Sequence, residues 1–224
     1  MINQDLPKLG KMKLLVIDDH ELILGGTINV LQQQYPEAQI LTAQTLQSAL
    51  EQLETFQFDL VIIDLSIPEA FRKIAKIETG IKLLQTIMKQ YPNLNLVVLS
   101  SYVQALVRIK DEINEHQGGF TVVDKGLSSQ EMLNRVEWAL KGFTHTKDLK
   151  MLEGEIKPEW LEVLTLAFQE ELQDRAIAER MHIPNRTVLH YWTKIRDILG
   201  VYPEEGKNLR IQTEMRAREE GFID

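Results

Sequence analysis

The stretch FDLVIIDLSIPE, Phe58 to Glu69, drives an almost unbroken apolar run into a single carboxylate, Asp64. A second run, LLVIDDH, ends the same way on Asp18 and Asp19. Carboxylates brought together repel one another unless a hard cation sits among them, and Mg²⁺ suits such a site because it takes oxygen ligands and keeps waters. A carboxylate can also be a nucleophile, and attack by Asp64 on phosphorus would give an acyl phosphate. The metal and a nearby lysine would then offset charge on the transferred oxygens. Lys125, ending FTVVDK, offers that cation, and Ser100, in NLVVLSS, offers a hydroxyl to a phosphoryl oxygen.

Such residues meet only if the fold brings strand ends together. From Lys13 short β-branched runs (LLVID, QILTA, DLVIIDL, NLVVLSS, FTVVDK) alternate with the amphipathic segments ELILGGTINVLQQQ, LQSALEQLETF, GIKLLQTIMKQ, VQALVRIKDEINEH and SSQEMLNRVEWALKG. Five strands alternating with five helices predict an α/β fold, a five-stranded doubly wound parallel sheet, because each right-handed crossover returns over one face. The strands are apolar on both faces, as a doubly covered sheet requires. Ligands in such folds collect at the carboxyl ends of the strands, which is where Asp18, Asp19 and Asp64 stand.

Residues 11–143 form this first unit, residues 144–157 read as a linker of mixed charge, and residues 158–224 read as a second, smaller all-α domain. In the latter, PEWLEVLTLAFQE, DRAIAERMH, NRTVLHYWTKIRDILG and LRIQTEMRAREEG are helical, and the turn His182-Ile183-Pro184 joins the middle two as a helix-turn-helix candidate. His182 reads as a turn residue, since the five histidines show no metal spacing.

Composition narrows the classes. No cysteine is present among the 224 residues, which removes disulfides, thiolate metal sites and a cysteine nucleophile and fits a reducing cytoplasm. The opening MINQDLPKLGKMK has charges and a proline before any apolar run, so neither an export signal nor a membrane span is expected. The net charge of -8 divides as -4 over residues 1–143, 0 over 144–157 and -4 over 158–224. No region is basic overall, so a nucleic-acid partner must be met by a local cationic face.

The runs LLVIDDH, LVIIDLSIP, VVLSS and VVDK resemble the flavodoxin-like receiver domain of two-component response regulators, over about residues 13–142. The resemblance implies that Asp64 is the phosphorylated aspartate and that Asp18, Asp19 and Asp64 bind Mg²⁺, with the backbone carbonyl of Ser66 completing the metal shell. It also makes Ser100 the switch hydroxyl and Lys125 the phosphate-pairing lysine. A histidine kinase would be the donor, and the protein would be a phosphoacceptor rather than a turnover enzyme. Two features depart from the family. Its glycine after the acid stands sixteen residues on, at Gly80, so part of EAFRKIAKIET is an insertion beside the site, whose Arg72, Lys73 and Lys76 could screen the pocket, gate it or dock a partner. The aromatic switch position holds Val122, with Phe120 two residues earlier, and Tyr102 is the candidate substitute.

The C-terminal stretch, about residues 156–223, resembles the LuxR/NarL-type helix-turn-helix output domain through PEWLEVL, AIAERMHIPNRTV and ILGV. Ile177, Ala178, Met181, Ile183, Val188, Trp192 or Tyr191, Ile195 and Leu199 are then core, and Trp160 and Trp192 are packing residues on an apolar helical stripe. Asn185, Arg186, His190, Thr193 and Lys194 are expected to meet DNA in the major groove, with Arg175 and Arg196 on backbone phosphates. Leu189 stands where the family often has lysine, and Glu170 and Glu171 where a glycine usually joins the first helices. The combined expectation is a transcription regulator that dimerises on activation. The alternatives are a signalling adaptor or pseudo-receiver whose C-terminal helices bind protein, and a Mg²⁺-dependent phosphohydrolase, which is disfavoured because Ser66, not a second acid for leaving-group protonation, stands two residues after Asp64.

Overall fold

Alternate residues along each central strand enter different cores. Leu14, Val16, Leu60, Ile62, Val97, Leu99 and Val123 pack on one face of the sheet, and Leu15, Ile17, Val61, Ile63, Leu96, Val98, Phe120 and Val122 on the other. Each fully buried aliphatic of this kind contributes roughly 1.5–3 kcal/mol, so the sheet is held from both sides. The computed structural model describes residues 11–145 and 156–223.

In chain order the first unit runs β1 (Lys13–Ile17), α1 (Glu21–Gln34), β2 (Gln39–Ala43), α2 (Leu46–Thr55), β3 (Leu60–Ile63) and a hairpin of β4 (Ile67–Pro68) and β5 (Ala75–Lys76). It continues with α3 (Ile77–Gln90), β6 (Asn95–Ser100), a 3₁₀ segment (Val103–Ile109), α4 (Lys110–Glu115), β7 (Phe120–Asp124), α5 (Ser129–Leu140) and β8 (Thr144–His145). The main sheet is parallel throughout in the order β2-β1-β3-β6-β7-β8. Side chains of α1 and α5 close one core, and those of α2, α3 and α4 close the other. Starts are capped where the sequence offers a hydroxyl: Thr45 and Ser48 exchange hydrogen bonds at the head of α2, and Ser128 accepts from the Glu131 amide at the head of α5.

Two expectations are corrected. The sheet has six strands, not five, because Thr144 and His145, inside the span read as linker, pair with Phe120 and Thr121. Two residues carry no alternating pattern; what holds them is His145, whose ring lies 4.9 Å from that of Trp138 and against Arg135. The fourth helix is also not uniform. Val103–Ile109 is 3₁₀ and only Lys110–Glu115 is α-helical. The rest of the linker, residues 146–155, lies outside the described residues, as does the opening segment 1–10.

The second unit holds α6 (Pro158–Phe168), α7 (Asp174–Arg180), α8 (Asn185–Leu199) and α9 (Leu209–Glu219). Its core gathers Trp160, Val163, Leu164, Ile177, Val188, Trp192, Ile195, Leu199, Ala217 and Phe222. Of the two aromatics offered for one position, Trp192 is buried and Tyr191 half-buried. Met181 and Ile183 are half-buried against the same core. His182 turns the chain between α7 and α8 at φ 55°, and Gly200 ends α8 at φ 64°. Among the described residues no helix is long and apolar enough to cross a membrane.

Candidate functional site

The apolar runs end where their strands leave the sheet, and that places the acids. Asp18 follows β1 and Asp64 follows β3, and these strands are neighbours; the Asp64 amide donates to Ile17 O at 2.9 Å. The backbone then turns tightly, with the His20 amide donating to Asp18 Oδ1 at 2.9 Å. Ser100 ends β6, beside β3, and Lys125 follows β7, beside β6. Sheet order thus converts four distant sequence positions into one pocket.

Asp18 and Asp64 are each 3% exposed, and Ser100 is fully buried. The Ser100 hydroxyl donates to Asp64 Oδ1 at 2.7 Å, and Lys125 Nζ donates to Asp64 Oδ2 at 2.7 Å while reaching Asp18 Oδ2 at 2.7 Å. Burial alone would lower the Lys125 pKa, but its hydrogen bonds to Asp18 and Asp64 outweigh that and raise it above the ordinary lysine value. Lys125 is therefore a fixed cation between two buried acids.

One ligand-type side chain was not singled out from the sequence. His20 joins Asp18, Asp19 and Asp64 in a cluster whose ligand atoms lie within 4.8 Å of one another. Its Nδ1 is 2.8 Å from Asp19 Oδ1 and 3.5 Å from Asp18 Oδ1. The signal was its place in LLVIDDH, directly after the acids. Although close to His20, Asp19 Oδ1 lacks the alignment of a hydrogen bond and is buried with no donor among the described residues. An orphaned carboxylate oxygen beside two further carboxylates is a donor set that fits a hard divalent cation. Ser66, two residues beyond Asp64, is half-buried at the edge of the same site.

The insertion after Asp64 is a hairpin. Residues 67–68 pair antiparallel with 75–76, and Phe71 and Ile74 at its tip are 79% and 82% exposed. Arg72 adopts φ 65°, which turns the tip, and its guanidinium lies 5.4 Å from the Phe71 ring. Gly80 still reaches the site despite its distance in sequence. A Cβ there would lie 2.0 Å from Leu65 O, so only glycine lets α3 lie against the backbone following Asp64. Val122 and Phe120 are both in the core, whereas Tyr102 is half-buried and its amide donates to the Ser100 hydroxyl at 3.2 Å.

The second candidate surface is open. Asn185, Arg186, His190, Thr193 and Lys194 are exposed along α8, and Arg175 is exposed on α7, paired with Glu179 at 3.3 Å. Arg196 differs from these. It is half-buried with its guanidinium 5.7 Å from the Trp192 ring, and burial lowers its pKa, as does the nearby Arg210 cation. Leu189 stands 53% exposed on the same helix. Behind it a polar clasp fixes three helices. Trp192 Nε1 donates to Asp174 Oδ1 at 2.9 Å and Arg210 Nη1 to the same oxygen at 2.8 Å, with the Arg210 guanidinium 4.9 Å from the Trp192 ring.

Comparison with known proteins agrees with this two-part arrangement. The chain is 25% identical to the DNA-binding transcriptional activator DevR/DosR of Mycobacterium tuberculosis, over 85% of this chain and 89% of that one. It is 27% identical to the DNA-binding transcriptional activator EvgA of Escherichia coli, over 84% and 91% respectively. The structure of RcsB from Salmonella enterica serovar Typhimurium, bound to promoter rprA in the presence of the phosphomimetic BeF3-, aligns over 93% of this chain and 99% of that one. Its TM-score is 0.62 at 21% identity, a likeness of fold. The family model for the response regulator receiver domain matches residues 14–137, and the chain belongs to that family.

Proposed function

We propose that this chain is a two-component response regulator that accepts a phosphoryl group on Asp64 from a histidine kinase and regulates transcription through a DNA-binding domain. Residues 11–145, through β8, would form the receiver and residues 158–224 the output domain, joined by the segment between them. The observation that carries the reading is the setting of Asp64, whose two carboxylate oxygens are held at 2.7 Å by Ser100 Oγ and Lys125 Nζ. Both partners are donors that a phosphoryl group can use in turn.

In the transfer an Asp64 oxygen attacks phosphorus, the bond from phosphorus to the donor imidazole nitrogen breaks, and the electron pair leaves with that nitrogen. The product is an acyl phosphate. Asp18, Asp19, Asp64 and the Ser66 carbonyl would hold Mg²⁺, which when bound offsets negative charge on the transferred oxygens. Lys125 exchanges its contact with the Asp64 carboxylate for one with a phosphoryl oxygen, and Ser100 follows as a hydroxyl donor. Incubation with acetyl phosphate and Mg²⁺ is expected to add the mass of one phosphoryl group to the wild type and none to Asp64→Asn. Equal labelling of the two would remove the assignment.

On the output side Asn185, Arg186, His190, Thr193 and Lys194 would read the major groove, with Arg175 and Arg196 on phosphates. A homodimer would engage two half-sites at once. One observation favours a second reading, an adaptor whose helices bind protein: Leu189 is an exposed apolar side chain amid this face, on a domain of negative net charge. Gel shifts with genomic fragments separate the two, because DNA affinity must fall steeply with salt. Absence of any shift at low salt would favour the adaptor.

A further inference from the structure

The insertion after Asp64 has a fixed base and an uncovered tip. Its first strand opens at Ile67, three residues after Asp64, and Ile67, Pro68 and Ile77 are buried where the hairpin leaves and rejoins the receiver core. The Gln47 amide donates to Glu69 O at 3.1 Å, which ties the outgoing chain to the head of α2, and the Lys73 amide donates to Ala70 O at 3.1 Å, which closes the turn. Beyond these anchors Phe71 and Ile74 stand almost fully in solvent. One exposed apolar side chain is ordinary, but two on a single anchored turn form a patch that no described residue covers.

Charge singles out the same tip. Arg72, Lys73 and Lys76 are exposed and pair with no acid among the described residues, and three cations less the one acid Glu69 give residues 67–76 a net charge of +2. The pocket beside them is acidic, since Asp18, Asp19 and Asp64 outnumber Lys125. A donor that brings a negatively charged phosphoryl group to Asp64 meets repulsion there, and cations at the rim offset it and steer the approach. A second apolar projection faces the same mouth. Leu22, in the first turn of α1, is 91% exposed. Because α1 packs into one core and the base of the hairpin into the other, the two projections flank the strand end carrying Asp64 from opposite faces of the sheet.

We propose, on the reading of Asp64 as the phosphoacceptor, that the tip of this hairpin is a docking element for the histidine-bearing protein that phosphorylates it. Phe71 and Ile74 supply the apolar contact, and Arg72, Lys73 and Lys76 attract the phosphorylated surface. A macromolecule that sets an imidazole against Asp64 must lie over the base of the hairpin, whereas a small phosphodonor enters the pocket without reaching the tip. The anchors hold the tip in place before the partner arrives, so little chain freedom is lost on docking. An anionic lipid surface is a poorer occupant, because it would repel a chain whose net charge is -8.

Phosphotransfer to the full-length protein tests this. The cytoplasmic parts of the source organism's histidine kinases, each autophosphorylated with radiolabelled ATP, are the large donors, and acetyl phosphate with Mg²⁺ is the small one. For the kinase that labels the wild type fastest, the double substitution Phe71→Ser/Ile74→Ser is expected to lower kcat/KM about tenfold or more by raising KM while kcat holds. Uptake from acetyl phosphate, followed by intact mass, should keep the wild-type rate. Lys73→Glu/Lys76→Glu should lower kcat/KM most at low salt, with the loss shrinking as salt rises. Equal kcat/KM for the wild type and Phe71→Ser/Ile74→Ser overturns the docking role, as does a fall in kcat with KM unchanged. Labelling by acetyl phosphate but by no kinase overturns the choice of occupant, and co-sedimentation of the wild type but not the double variant with phosphatidylserine vesicles would then give the tip to a lipid surface. Labelling by neither donor overturns the phosphoacceptor reading itself.

Discussion

The acidic pocket and the exposed face of α8 are built on opposite plans. In the pocket the two deepest acids are held by other parts of the chain, Asp64 by Ser100 and Lys125 and Asp18 by Lys125 and the His20 amide, and only Asp19 Oδ1 is left without a donor among the described residues. On α8 Asn185, Arg186, His190, Thr193 and Lys194 are exposed, and among the described residues Arg186 and Lys194 make no ion pair. A site that performs a covalent step must be assembled before its substrate arrives, since misplacement of a reacting group lowers rate steeply. A surface that reads another molecule is completed by that molecule. Changes near the pocket should therefore act on folding and chemistry together, whereas changes on α8 should act on binding alone.

The largest effect should come from the glycine that lets α3 approach the pocket. Gly80→Val puts a branched side chain where even a Cβ would meet Leu65 O at 2.0 Å. Backbone, not a flexible side chain, is in the way, so the strand end carrying Asp64 must shift. Urea unfolding followed by circular dichroism should show a loss of about 3 kcal/mol, toward the upper range for overpacked sites. A loss below about 1 kcal/mol would mean that α3 is free to move and that the pocket is less rigidly framed than its hydrogen bonds imply.

How much of this could be read from the chain depends on whether a residue's role is fixed locally. Asp18, Asp64, Ser100 and Lys125 each end an apolar β-branched run, and parallel strands must align their carboxyl ends, so their convergence follows from pattern alone. Gly80 was legible as a glycine but not as a neighbour of Leu65, because the hairpin between them hides the spacing. The hairpin pairs only two residues on each side, too few for any period to show. His20 and β8 were missed for related reasons. One depends on how a turn aims an imidazole at Asp19, the other on Arg135 and Trp138 gripping His145 from a different element. On the output side the apolar stripe identified the core, but the Asp174, Trp192 and Arg210 clasp joins side chains 18 and 36 residues apart, beyond what helical periodicity can show.

That clasp provides the next test. Asp174→Ala removes one oxygen that accepts from both Trp192 and Arg210, leaving an indole N–H at the edge of a core with no acceptor. Asp174 and Arg210 are partly exposed, so water recovers part of the loss, and the expected destabilisation is about 1–2 kcal/mol. The effect should fall on unfolding of the output domain, with uptake of phosphate at Asp64 unchanged. A smaller gain should come from the turn after α6. Glu171 adopts φ 57°, a region where only glycine is free of a Cβ penalty, and Glu171→Gly should stabilise the domain by about 0.5–1 kcal/mol after its larger unfolded-state entropy is offset.

The smallest effect on stability, and the sharpest on the comparison, is expected for Lys194→Ala. Lys194 is exposed, pairs with no acid among the described residues and lies outside the core, so its removal should change unfolding free energy by less than about 0.5 kcal/mol. As a groove-facing side chain, its removal should cost specific DNA binding about 1–3 kcal/mol and relax discrimination at one base position. Its charge also counts in the salt dependence, so the slope of log affinity against log salt should fall by up to about 0.9. Both quantities can be measured on one preparation by calorimetric melting and by fluorescence anisotropy at several salt concentrations. A slope that stays the same while the melting temperature drops would place Lys194 with the intramolecular network rather than the open surface, and the division between the two regions would fail at that residue.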